Sequence, residues 1–194
     1  MVESVRHRIG AISITSGVLE SIEEEESYVL EVVKHLSVYD LPIGVSIYPT
    51  DQTPDRLRAL GVAEVKFNLE AATPGLFAMM CPGLDYDLLW QVLDRSVQLF
   101  GKNRVFSNVI VGLGETDAEL ETCIQNLTSL GVIPVLRPLN PVAVLAGIPR
   151  PSAERLKTIF ILHERSLAAA GLDPRLAVTM CTNCTGCDLV PGRD

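Results

Sequence analysis

Ser107-Asn108-Val109-Ile110-Val111-Gly112-Leu113-Gly114-Glu115 is the stretch on which the reading of the fold turns. Apolar, mostly β-branched residues run to Val111, two glycines follow, and Thr116-Asp117 then opens an amphipathic segment. A short apolar run with no polar face is a strand covered on both sides, the habit of parallel sheets flanked by helices. Glycines at such a strand end let backbone approach a ligand and leave free N–H groups at the next helix. A Gly-x-Gly pair alone also serves plain turn geometry, so its surroundings have to be read with it.

Outward from that stretch the same alternation repeats. Strands are predicted over 9–15, 43–48, 64–69, 105–111 and 132–136. Helices are predicted over 22–36, from Thr53-Pro54, over 86–100, 117–130 and 152–170. Ser21 with Glu24 makes a capping-box pattern, and an acidic first turn suits the helix dipole. Gly101, Gly131 and Gly171 stand where three helices stop. An open doubly wound sheet and a barrel both fit this order, and both place ligands at the C-terminal ends of the strands. Those ends hold the unusual residues: Thr15-Ser16-Gly17, Tyr48-Pro49, Asn68-Leu69-Glu70, Gly112 to Glu115, and Arg137 to Asn140. Periodicity does not choose between the two architectures.

The 194 residues suffice for one domain with a sizeable core. With 47% apolar and 21% charged residues the composition is that of an ordinary α/β protein. A formal net charge of -8 argues against a nucleic-acid partner, since phosphates would go unneutralised. No apolar run approaches the roughly 20 residues of a membrane span, and the polar start, Met1 to Arg8, leads towards a strand rather than forming a secretory signal. A cytoplasmic location is expected.

Three of the five cysteines, Cys181, Cys184 and Cys187, fall within seven residues. In a reducing compartment such clustering indicates metal or redox chemistry rather than a disulfide framework. Thiolates at this spacing converge on one centre, Gly186 permits a tight turn, and iron–sulfur sites use such spacings. A zinc with Cys₃ plus His or Asp is the structural alternative. The fourth ligand would be Asp188, a partner or the substrate. Cys81 and Cys123 read as structural thiols, His7, His35 and His163 as surface or core histidines, and Trp90 as core. Glu23 to Glu26 read as a solvated helix start, and Arg137 as a carboxylate binder or a surface ion pair.

The strand-end residues resemble those of radical S-adenosylmethionine enzymes, most closely the biotin/lipoyl synthase-like group. Ile110, Gly112 and Glu115 match the GxIxGxxE segment of the fifth strand, with Asn108 in place of its first glycine. Asn68-Leu69-Glu70 is similar to the fourth-strand Asn-Leu-Asp, and Thr15-Ser16-Gly17 to the second-strand motif. Pro138 to Pro141 with Ala146 to Pro149 resembles the sixth-strand loop. The resemblance covers about residues 8–170.

It implies an α/β fold: a partial (βα)6 TIM-like radical SAM barrel of parallel strands, the first βα unit missing. Residues 1–175 would hold strands two to six, and 176–194 a metal-binding tail. S-adenosylmethionine would be bound by Thr15, Ser16, Gly17, Asn68, Glu70, Ile110, Gly112 and Glu115. By analogy Ile110 would pack the adenine, Glu115 brace the turn, and Asn68 with Glu70 hold the ribose and methionyl group. Cys181, Cys184 and Cys187 would carry an auxiliary [4Fe–4S] cluster. The family's CxxxCxxC, which binds the catalytic [4Fe–4S] cluster, does not precede the first strand here. A fragment, inactive alone, or a non-catalytic partner subunit is therefore expected, the catalytic cluster belonging to the full-length protein. Phe106 stands where biotin synthase has a cluster-ligating cysteine, which turns the expectation towards a divergent relative. The implied reaction is hydrogen abstraction from an unactivated carbon, with sulfur insertion or oxidation. Implied partners are a small-molecule or carrier-bound acyl substrate, an electron donor such as ferredoxin or flavodoxin, and a second radical SAM subunit. A nucleotide-binding open sheet using Gly112 to Gly114 is the remaining alternative, but it lacks the three-glycine fingerprint.

Overall fold

The computed structural model describes residues 2–142, 145–180 and 189–191. Five strands, β1 (Ile12–Thr15), β2 (Ile43–Ser46), β3 (Glu64–Lys66), β4 (Val105–Val111) and β5 (Ile133–Pro138), form one sheet. Its order is β1-β2-β3-β4-β5 and every pair is parallel. A doubly wound sheet reverses direction at a switch point; this one never does, so the alternative left open by periodicity is settled in favour of the barrel. The fold is a partial α/β barrel of five parallel strands.

Seven helices lie among the described residues: α1 (Val2–Val5), α2 (Ile22–Leu36), α3 (Thr53–Ala59), α4 (Pro74–Met80), α5 (Tyr86–Phe100), α6 (Asp117–Leu130) and α7 (Ala153–Ala170). Register separates the two faces of the sheet. Ile14, Val45, Val65 and Val105 form one row, and the last three are fully buried in the main core against the helices. Thr15, Ser46, Lys66, Phe106 and Ile133 form the neighbouring row on the inner face. Both caps form, but the capping box suggested at Ser21–Glu24 shows only its serine half among the described residues, while the complete box stands on α6. Ser21 Oγ accepts from Glu24 N–H, and Thr116 with Glu119 makes a complete reciprocal box.

Four local expectations are corrected. The chain enters through α1 and a 3₁₀ turn at Arg6–Arg8, not directly into a strand. Pairing begins only at Ile12, because its first partner carbonyl is that of Pro42, just ahead of β2. Helix α4 was not expected; Thr73 caps it by accepting from Leu76 N–H, and Pro74 sits at its first turn, a placement proline favours. Finally, β3 stops at Lys66 instead of running to residue 69. Phe67 N–H bonds the carbonyl of Phe106, and the next ladder donor, Glu70 N–H, bonds that of Asn108. Three positions on one strand thus match two on the other, a bulge, and Glu70 takes a left-handed φ of 57°.

The described end of the chain is built into the barrel. A 3₁₀ turn at Pro174–Leu176 leads Ala177, Met180 and, later, Val190 into a second apolar cluster with Phe106, Ile133 and Val135. No helix among the described residues is long and apolar enough to cross a membrane.

Candidate functional site

The C-terminal ends of β1, β2 and β3 enclose a cavity of about 310 Å³. Thr15, Ser16, Gly17, Asn68 and Glu70 all line it, so residues more than fifty positions apart meet at one place. Ser46, Tyr48, Phe77 and Cys81 are also part of its wall. Ile110, Gly112 and Glu115 do not line this cavity. Ile110 is half-buried on the inner face, in register with Arg137. A larger groove of about 820 Å³ runs between α6 and α7 on the outer surface. It gathers no strand-end residue, and parallel α/β sheets bind ligands at strand ends, so the smaller cavity is the candidate site.

The β3 bulge positions the polar pair. Asn68 Oδ1 accepts from Asn108 N–H at 3.2 Å, and its side chain hydrogen-bonds Glu70. Burial pushes the Glu70 carboxyl above the usual carboxylate range; the Asn68 bond and the charges of Lys66 and Arg137 offset this only in part. Arg137 is therefore half-buried on the inner face within electrostatic reach of Glu70, not on the outer surface. Asn108 is 7% exposed, and its Oδ1 has no hydrogen-bond partner among the described residues. An acceptor held this dry without a donor costs on the order of 1–3 kcal/mol, which a ligand donor would recover.

Ser16 Oγ donates to Glu25 Oε1 of α2. The helix start is accordingly not the solvated run expected. Glu25 turns inward to Ser16, and Glu26 is wholly buried, accepting from Thr50, Thr53 and Arg56. Only Glu23 and Glu24 stand in solvent. An i, i+3/i+4 reading of α2 places Glu26 with Val29 and Val33 on the buried stripe, a signal that the cluster of four glutamates masks.

Cys81, read from sequence as structural, ends α4 and lines the cavity half-buried. Burial first, and the charge of Glu70 second, push its thiol up. The signal that α4 brings it there, Thr73-Pro74 ahead of an apolar run, is in the sequence. Cys123 is a core thiol as read, 2% exposed on α6 and pushed up to about 12 by burial.

The turn after β4 is braced as a unit. Gly112 N–H donates to Glu115 Oε1 at 2.7 Å, and Arg155 Nη2 pairs with the same oxygen at 3.0 Å. The open side of Gly112 is occupied by protein: an added Cβ would lie 2.5 Å from Pro151 Cγ. The glycine therefore admits the lead-in to α7, and its N–H is already spent on Glu115.

Cys181, Cys184 and Cys187 lie outside the described residues. Among the described residues, no group of three or more His, Cys, Asp or Glu is arranged to hold a metal ion. His7 and His35 are exposed, while His163 is fully buried on α7.

Among the solved structures similar in fold are three with TM-scores of 0.60 to 0.64. A domain of pyruvate-formate lyase-activating enzyme from Bacteroides vulgatus matches with a TM-score of 0.64 at 13% identity, covering 82% of this chain and 95% of that one. HydG, a maturase of the [FeFe]-hydrogenase, matches with a TM-score of 0.62 at 18% identity over 87% of this chain. The HydG of Carboxydothermus hydrogenoformans matches at 0.60 and 21% identity over 83%. This chain spans 43% and 41% of those two HydG chains. No protein-family model matches the sequence, and no curated protein is significantly similar to it.

Proposed function

We propose that this chain is the cofactor-binding barrel of a radical S-adenosylmethionine enzyme. The observation that carries the reading is the convergence of Thr15, Ser16, Gly17, Asn68 and Glu70 on one cavity at the ends of three parallel strands. The residues fit the cofactor chemically. Its methionyl ammonium and ribose hydroxyls are donors, and the wall offers the desolvated Glu70 carboxyl nearby and the unpartnered Asn108 Oδ1 on the adjoining inner face. Ile110, half-buried beside Arg137, supplies the apolar surface against which an adenine packs. Bound next to a [4Fe–4S] cluster, S-adenosylmethionine supplies a 5′-deoxyadenosyl radical able to take hydrogen from an unactivated carbon. The role of this chain is to orient the cofactor and exclude water around it.

Within the superfamily we place the chain in the biotin/lipoyl synthase-like group. The support is the sequence of the β4 turn, Ile110 to Glu115, and of Asn68-Leu69-Glu70. Sulfur insertion or oxidation through an auxiliary cluster on Cys181, Cys184 and Cys187 is the reaction type proposed. A small molecule or a carrier-bound acyl group is its substrate, and a ferredoxin- or flavodoxin-like protein the electron donor.

The test is equilibrium binding of S-adenosylmethionine to this chain by calorimetry. The chain is expected to bind it, and Asn68→Ala and Glu70→Gln to weaken binding at least tenfold, about 1.4 kcal/mol. Because the Glu70 carboxyl is pushed up and the ligand is cationic, affinity should rise as pH rises through that carboxyl's titration and fall as pH is lowered. Absence of binding, or variants that bind like the wild type, overturns the assignment.

A further inference from the structure

Lys66 and Arg137 put two positive charges on the inner face of the barrel, and the cofactor cavity uses neither. Lys66 ends β3 and is only 4% exposed. Arg137 is half-buried near the end of β5, on the same face as Val135 and in register with Ile110 of β4. Both act electrostatically on Glu70, whose carboxyl nevertheless stands above the usual range. Asn68 and Glu70 line the 310 Å³ cavity; Lys66 and Arg137 do not. The cations therefore lie beside the cofactor cavity, on the adjoining part of the inner face.

The lower half of that face is filled by the chain end. Glu64, the other acid on the inner side of β3, accepts from Arg104 Nη1 at 2.7 Å, from the N–H groups of Val178 and Thr179 at 2.8 Å, and from Thr179 Oγ1 at 2.6 Å. Phe106, Ile133 and Val135 pack with Ala177 and Met180. Ligand space is thus left to the strand-end half, where Ile110 and Arg137 stand half-buried over an apolar floor.

The cofactor alone does not explain these cations. S-adenosylmethionine carries a sulfonium and an ammonium against one carboxylate, so it is a net cation, and positive side chains beside its cavity repel it. Taking each of them partly out of water costs further free energy. Balancing Glu70 requires only one. An anion seated next to the cofactor accounts for both. The planar guanidinium takes a carboxylate through two parallel hydrogen bonds, and a lysine adds a point charge. Close to Glu70, a singly charged anion is repelled less than a doubly charged one.

We infer that Arg137, assisted by Lys66, binds the carboxylate of a small organic acid, the substrate of this barrel, on the inner face beside the cofactor cavity. The inference rests on the proposed function and narrows its substrate. A free acid presents a carboxylate to Arg137, whereas an acyl group on a carrier has lost its own in the linkage.

The test is ligand-observed NMR on the full chain with a panel of small carboxylic acids, each paired with its primary amide. It is run with and without S-adenosylmethionine at about pH 8, where the acids are ionised. Acids are expected to bind at least about tenfold more tightly than their amides, as a charge-assisted bond to arginine implies. Arg137→Gln should bring acid and amide to within about threefold, and Arg137→Lys should keep part of the difference. Lys66→Met should reduce it; if that variant does not fold, the two Arg137 variants decide. Affinity for S-adenosylmethionine, read by calorimetry, should hold or rise in Arg137→Gln, because a repelling charge is gone. Acids and amides bound alike, no acid bound, or an unchanged difference in Arg137→Gln overturns the inference. So does a tenfold loss of S-adenosylmethionine affinity in folded Arg137→Gln, which would assign the arginine to the cofactor's own carboxylate. A wild type that prefers acids but binds no S-adenosylmethionine upholds the anion site and overturns the cofactor reading, so the two failures are told apart.

Discussion

His163 shows what one residue contributes beyond its sequence signal. It lies on α7 with no exposed surface, and since a carbonyl only accepts, Nδ1 carries the proton shared with Leu189. Nε2 is buried without a hydrogen-bond partner among the described residues. Burial brings its pKa down to about 4. The unfolded chain takes up this proton near pH 6.5 and the folded chain does not, so stability is full above that range and is lost as pH falls towards about 4. The loss is on the order of a few kcal/mol, and His163→Asn, which keeps a donor near the Nδ1 position, should flatten it. Urea unfolding midpoints across this pH range check the expectation. The reading of His163 as core or surface was legible in its place on an apolar helix; its bond to the chain end, 26 residues away, was not. Glu26 and Cys81 tell the same story, because burial depends on which element covers a side chain.

At the scale of the element, the β4–α6 turn is the best-encoded part of the molecule. A β-branched strand, two glycines, Glu115 and the Thr116–Glu119 box are all local instructions, and the structure carries each out. The purpose of one glycine is not local. Gly112 and Gly114 both have left-handed φ, 109° and 123°, but only Gly112 faces a rigid neighbour. Gly112→Ala should therefore cost about 2 kcal/mol or more, strain plus the clash with Pro151, and lower Tm by about 5 °C. Gly114→Ala, whose Cβ would sit 3.7 Å from Leu76, should cost only the strain. Thermal unfolding of the two variants side by side separates packing from backbone conformation. The β3 bulge is the opposite case. Nothing in Lys66 to Glu70 announces an extra residue, because the count is set by the hydrogen-bond ladder of β4.

For the whole molecule, the decisive fact is that the chain end closes the inner face of the sheet. Ala177, Met180 and Val190 cover Phe106, Ile133 and Val135, and Glu64 with Arg104 anchors the path. A protein ending at Leu176 would leave that cluster uncovered. Burial of one methionine and one valine is worth about 3–6 kcal/mol, so the shortened protein should unfold at clearly lower denaturant concentration than the full chain. An unchanged midpoint would show that the end of the chain is only an appendage.

By itself the sequence determined the alternation of strands and helices, the helix caps, and the residues that stand at the strand ends. Those follow from periodicity, propensity and turn chemistry, which act over a few neighbouring positions. Only the tertiary structure decided that the strands succeed one another without reversal, and so form a partial barrel rather than a doubly wound sheet. It alone brought Thr15, Ser16, Gly17, Asn68 and Glu70 to one cavity and left Gly112 and Glu115 to brace a turn. It also packed Ala177, Met180 and Val190 against Phe106, Ile133 and Val135 on the inner face. Strand order, burial and the fate of a buried carboxylate are set by contacts between residues distant in sequence, as in the bond from Thr179 to Glu64, 115 positions apart.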